Sequence, residues 1–110
     1  MTHRSERVQS LIQQELGKLL LREVEFPALV TITGVEVNKK LDIARIKLGV
    51  VPSSLDKKVL SIVESAQREL QYLLMKKINI KPMPKIQFEI DYGSENAARV
   101  EKLLIDKHNK

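Results

Sequence analysis

A chain of 110 residues, 43% of them hydrophobic and 30% charged, has apolar material enough for one packed core and shows no compositional sign of disorder. It contains no cysteine, which excludes a disulfide framework, a thiolate zinc site and a cysteine nucleophile. The net charge of +5 is unevenly spread: residues 39–85 hold 11 of the 19 basic residues and, of the acidic ones, only Asp42, Asp56, Glu64 and Glu69, so a polyanion would be drawn to the middle of the chain.

The opening Met-Thr-His-Arg-Ser-Glu-Arg lacks the apolar stretch of a signal peptide, and no apolar run approaches the roughly 20 residues that span a bilayer. A cytoplasmic, non-membrane protein is expected. From Ser5 to about Val24 the residues Val8, Leu11, Ile12, Leu16, Leu19 and Leu20 recur at three- and four-residue steps, predicting a helix with one apolar face. Arg4, Glu6, Gln13, Gln14 and Arg22 fall on its solvated side. Gly17 costs this helix about 1 kcal/mol against alanine unless something packs closely there, and Pro27 marks where the helix has ended.

The period then changes. Val30, Ile32, Val35 and Val37 alternate with polar residues, with one slip at Gly34 that a bulge would explain. After the polar turn Asn38-Lys39-Lys40, Ala44, Ile46, Leu48 and Val50 alternate with Arg45, Lys47 and Gly49, so the two runs predict a hairpin with a basic outer side. Ser53-Ser54-Leu55-Asp56 resembles a capping box at the start of a long helix. Leu55, Val59, Ile62, Val63, Ala66, Leu70, Leu73, Leu74 and Ile78 hold helical spacing along that helix, which ends near Asn79.

Lys81-Pro82-Met83-Pro84 is expected to be extended, since each proline restricts its predecessor. Ile86, Phe88 and Ile90 then alternate as a third strand. Ser94-Glu95 suits a helix start, and Ala97, Val100, Leu103 and Leu104 predict a short amphipathic helix to about Asp106, followed by a frayed end. The whole reads as one α+β domain over residues 1–110, with its core between about 5 and 106. The long helix is a crossover on one face of a three-stranded sheet.

Little in this sequence carries catalysis. His3 and His108 lie in terminal segments that give no rigid ligand geometry, and Asp91 reads first as a turn or cap residue. Ser53, Ser54, Ser61 and Ser65 have no histidine near them in sequence to act as base, and no two glycines stand at phosphate-cradle spacing. Neither an enzyme nor a bound metal or other cofactor is expected. What remains is a basic surface of Arg45, Lys47, Lys57, Lys58, Arg68, Lys76, Lys77, Lys81 and Lys85. These residues read equally as phosphate contacts or as a solvated lysine surface. Phe26, Tyr72, Phe88 and Tyr92 are too dispersed for the stacking platform of an RNA-recognition sheet, which favours backbone and shape contacts.

The order helix, two strands, helix, strand is similar to that of a type II KH domain, without the Gly-x-x-Gly loop by which such domains clamp nucleotides. The chain resembles the ribosome-binding factor A family in Arg4-Ser5-Glu6-Arg7-Val8, Arg22-Glu23-Val24 before Pro27, Thr31 to Val37, Leu41-Asp42-Ile43-Ala44-Arg45-Ile46, and Lys81-Pro82-Met83-Pro84-Lys85-Ile86-Gln87-Phe88 with Asp91. The likeness covers about residues 4–104. It implies a helix kinked at Ala66, binding to the free small ribosomal subunit and its 16S rRNA, a role in late processing near the 5′ end of that RNA, and assembly GTPases as functional neighbours. The sequence departs from the family pattern at Arg68, where a glycine is usual, and at Gln71, Lys40 and Phe26. The alternative reading is a protein-interaction adaptor with no RNA contact. No unused apolar stripe calls for a dimer, so a monomer is expected.

Overall fold

The spacing of Val8, Ile12, Leu16, Leu19 and Leu20 becomes, in a computed structural model that describes residues 2–92, the buried stripe of helix α1 (Thr2–Glu23). Leu11 lies at the rim of this stripe, and Leu21 points away from it into solvent. Strands β1 (Leu29–Val37) and β2 (Ile43–Val51) pair antiparallel. Helix α2 (Asp56–Lys77) then crosses over to β3 (Lys85–Ile90), which pairs parallel to β2. The sheet order is β1-β2-β3. The terminal helix expected from Ser94 to Asp106, and both histidine side chains, lie outside the described residues.

The hairpin bulges where the alternation slips, although the extra residue is Thr33 and not the glycine. Ile32 faces Leu48 and Gly34 already faces Lys47, with Gly34 at an ordinary negative φ. The Thr33 hydroxyl is used: it donates to Asp91 Oδ2 at 2.5 Å and lies 3.3 Å from the Lys47 carbonyl, tying the first strand to the end of the third. In the turn, Asn38 Oδ1 accepts from the amides of Asp42 (2.9 Å) and Ile43 (3.0 Å). This local network holds Leu41 at φ 60°, a left-handed conformation that residues with a Cβ rarely adopt.

The inward residues of β2, Ala44, Ile46 and Leu48, have no exposed surface, and Ile86 beside them on β3 has none either. They meet Leu16 and Leu19 of α1 and Val59, Val63, Leu70 and Leu74 of α2 in one cluster, so both helices cover the same face of the sheet. At about 25 cal/mol per Å² of apolar surface removed from water, this cluster is the main source of stability.

Two expectations about α2 change. The capping box does not form, because the chain enters through a 3-10 turn (Ser53–Leu55) that makes Leu55 the N-cap, with no side-chain hydrogen bond to the helix amides. Leu55 is instead packed against the core, and the Asp56 carboxylate accepts from the next amide, Lys57 N, at 2.6 Å. Apolar anchoring has displaced the polar cap. After the helix the chain bends at Lys81 and Pro82 and is not extended throughout, since it must turn from buried Ile78 back to buried Pro84.

Each helix also seals an edge of the sheet with two glutamines one turn apart. On α1, Gln9 Oε1 accepts from Val37 N (3.0 Å) and Gln13 Nε2 reaches Ile32 O (3.4 Å). On α2, Gln67 Nε2 donates to Ile86 O (2.6 Å), while Gln71 accepts from Ile86 N (2.8 Å) and donates to Pro84 O (3.0 Å). Residues four apart share a helix face, so one glutamine pair can follow an extended strand.

A methyl group at Gly17 would meet nothing within 4 Å, so no close packing demands this glycine. Gly17→Ala is expected to raise the unfolding free energy by roughly 0.5–1 kcal/mol through helix propensity and the unfolded chain's lost freedom. Urea denaturation would read the change, and a destabilised variant would contradict the open space described.

Candidate nucleic-acid interface

The solvent face of the sheet is not the basic surface expected from the hairpin. Glu36 and Glu89 lie on that face with Arg45 and Lys47. Arg45 makes a two-pronged contact with Glu89, with Nε and Nη2 each 2.9 Å from a carboxylate oxygen, and also lies 3.2 Å from Glu36. Lys47 Nζ is 3.0 Å from the other Glu36 oxygen. Two cations and two carboxylates thus close a ladder across all three strands, as cross-strand opposite charges favour. The hydrogen bonds from Arg45 hold the Glu89 carboxyl below its ordinary range, and the same contact raises the Arg45 guanidinium. A phosphate approaching here would have to compete with carboxylates already seated.

The other seven predicted cations have no carboxylate partner among the described residues. Lys57, Lys58, Arg68 and Lys76 lie on exposed positions of α2, Lys77 ends that helix, and Lys81 and Lys85 follow it. The structure brings two of them, Arg68 and Lys85, to one groove, and sets Lys81 beside cations from α1.

Arg68 and Lys85 border a groove of about 580 Å³ between α2 and β3, whose walls include Gln67, Gln71 and Met83. This groove exists because the Gln67 and Gln71 bonds dock α2 along the outer edge of β3. Glu64 is its acidic member. Ala66 packs against the core beside it, and α2 runs through that residue as one element.

A second hollow, about 360 Å³, is lined by Arg4, Arg7, Leu11 and Lys81, with the Arg4 guanidinium donating to the Lys81 carbonyl at 3.3 Å. Arg4 and Arg7 are not among the cations that the sequence singles out. A helical position one turn from the start of the chain says nothing of which distant loop it faces, so no local signal points to them. Lys57 and Lys58 stand apart at the opposite end of α2 from Lys76 and Lys77.

Such an arrangement can receive phosphates in a shallow trough by charge and hydrogen bonding. No cluster of three potential metal ligands occurs among the described residues. No helix among them is long and apolar enough to cross a membrane.

The family model of ribosome-binding factor A matches residues 4–104. Ribosome-binding factor A of Chlorobium limicola is 36% identical over 108 residues, spanning 94% of this chain and 91% of the relative. That of Desulforamulus reducens is 30% identical over 107 residues, spanning 94% and 89%. Among solved structures, ribosome-binding factor A from Thermus thermophilus aligns with a TM-score of 0.70 at 16% identity, covering 78% of this chain and 94% of that one. A homology model of the Thermus thermophilus factor, fitted into an electron cryomicroscopy map of its complex with the 30S subunit, aligns with a TM-score of 0.61 at 17% identity, covering 77% and 92%. These structures share the α+β fold with its three-stranded mixed sheet.

The sheet ladder makes stability depend on pH with a definite sign. A carboxyl whose folded pKa is depressed contributes stability above its unfolded value, about 4.3 for glutamate, and loses it as pH falls through the lower folded value. Thermal melts should therefore show Glu89→Gln less stable than the parent at pH 7, with the gap shrinking below about pH 4. A gap constant from pH 7 to pH 3 would mean that the ladder contributes nothing.

Proposed function

The chain belongs to the ribosome-binding factor A family, and on that premise we propose that it binds the free small ribosomal subunit and assists late maturation of 16S rRNA near its 5′ end. It works by binding energy alone, without a cofactor, as a cytoplasmic monomer of one domain that leaves before translation, with assembly GTPases as functional neighbours. The observation that carries this reading is the division of charge over the molecule. Cations on the sheet face are matched by Glu36 and Glu89, while Arg68 and Lys85 border a groove with no carboxylate among the described residues bound to either.

The groove supports RNA rather than peptide as its occupant. A Gly-x-x-Gly clamp holds a nucleic-acid backbone through main-chain amides, and this chain has no such loop. In its stead the groove offers a guanidinium from Arg68 and an ammonium from Lys85, beside Gln67 and Gln71, whose side-chain amides are bonded to the β3 backbone. Arg68, standing where the family pattern has glycine, adds a planar donor suited to two phosphate oxygens at once. The fitted 30S complex of the Thermus relative supports the choice of target.

Each phosphate neutralised by these side chains releases counterions, so affinity falls as salt rises. Sedimentation of a tagged copy from lysate should show it with free small subunits at low salt and released at high salt. Arg68→Glu with Lys85→Glu should weaken binding and make the salt slope shallower by roughly 0.7–0.9 for each phosphate that is no longer neutralised. Arg45→Gln, which breaks the ladder and leaves the groove intact, should bind nearly as the parent does. Migration with assembled ribosomes alone, or binding that survives ribonuclease treatment of the target, would turn the reading toward a protein-interaction adaptor.

A further inference from the structure

Tyr72 is 58% exposed on the outer face of α2, and its hydroxyl has no hydrogen-bond partner among the described residues. Arg68 precedes it by one helical turn and Lys76 follows by one, with Lys76 Nζ 5.2 Å from the centre of the ring. Met75, also more than half exposed, stands three residues on. A large ring left more than half in water forgoes hydrophobic free energy that packing within the chain does not recover. The cation over the ring occupies one of its faces.

We propose that Tyr72 is a stacking platform for one unpaired RNA base at the rim of the α2–β3 groove. This inference rests on the RNA-binding reading above and adds to it a sequence-tolerant contact that charge does not supply. Arg68 belongs both to the groove and to the helical stripe that carries Tyr72, so a strand whose phosphate meets Arg68 has the ring one turn away. A base laid on the free face of the ring is held by stacking, while Lys76 remains near enough to reach the same strand's backbone. Double-stranded RNA offers no base to the ring, so the site selects an unpaired segment.

The test uses the full chain and a labelled single-stranded oligoadenylate of about ten nucleotides, within the usual range of single-strand site sizes, followed by fluorescence anisotropy. Circular dichroism melts check that each variant folds. Tyr72→Ala should weaken binding by roughly 5- to 100-fold, the loss typical of a stacking aromatic, and leave the salt slope unchanged. Tyr72→Phe should bind as the parent does, and Tyr92→Ala, at the other exposed tyrosine, should have no effect. Replacing the oligonucleotide's bases with abasic sites should bring parent and Tyr72→Ala to the same affinity. If Tyr72→Ala binds like the parent while Arg68→Glu weakens binding, stacking is overturned and the charge-based reading stands. If Tyr72→Phe is as damaged as Tyr72→Ala, the hydroxyl is the contact and stacking is again overturned. Indifference of the oligonucleotide and of free subunits to Arg68→Glu, Lys85→Glu and Tyr72→Ala alike would defeat both readings.

Discussion

A three-stranded sheet leaves the peptide groups of its two outer strands without strand partners, and a buried unpaired peptide group costs about 1–3 kcal/mol. In this chain four side-chain amides answer that demand: Gln9 and Gln13 from α1 along β1, and Gln67 and Gln71 from α2 along β3. Glutamine suits the task because it both donates and accepts, as Gln71 does toward the Ile86 amide and the Pro84 carbonyl. The consequence is positional. Each helix is fixed in register with an edge as well as pressed onto the apolar face, and the α2–β3 groove takes its width from that second constraint.

Charge then divides the surface into matched and unmatched cations. On the sheet face, Arg45 and Lys47 hold Glu36 and Glu89, and exposed pairs of this kind organise a surface more than they stabilise it. Beside α2 the cations have no such partners among the described residues. A polyanion that sampled the whole molecule would find an occupied ladder on one side and open donors on the other, so in the proposed binding mode orientation would follow from where acids are present as much as from where bases are.

Most of the fold was legible in the sequence. Period alone located both helices and all three strands, including the bulge, and the parallel pairing of β2 with β3 followed from a helix lying between them. The candidate site was legible only in part, for reasons of distance along the chain. Glu36 and Glu89 fall just outside the basic stretch from Lys39 to Lys85, so counting charge along the sequence separated Arg45 from the very carboxylates it touches. Arg4 meets Lys81 from 77 positions away, and Gln71, a departure from the family pattern, is one of the residues that seal an edge strand. The failed capping box at Ser53 has a different origin: a local motif yielded to burial of Leu55, a competition decided by packing that no four-residue window contains.

Every residue in the buried cluster is apolar, and the helices are tied to the sheet by neutral amides. Mobile ions screen attraction between charges and leave such contacts nearly untouched. An ionic environment concentrated enough to lift this chain off a polyanion therefore leaves its architecture standing. Detachment from a polyanion and unfolding of the core would thus be governed largely by separate forces, so a molecule stripped from one such target would arrive intact at the next.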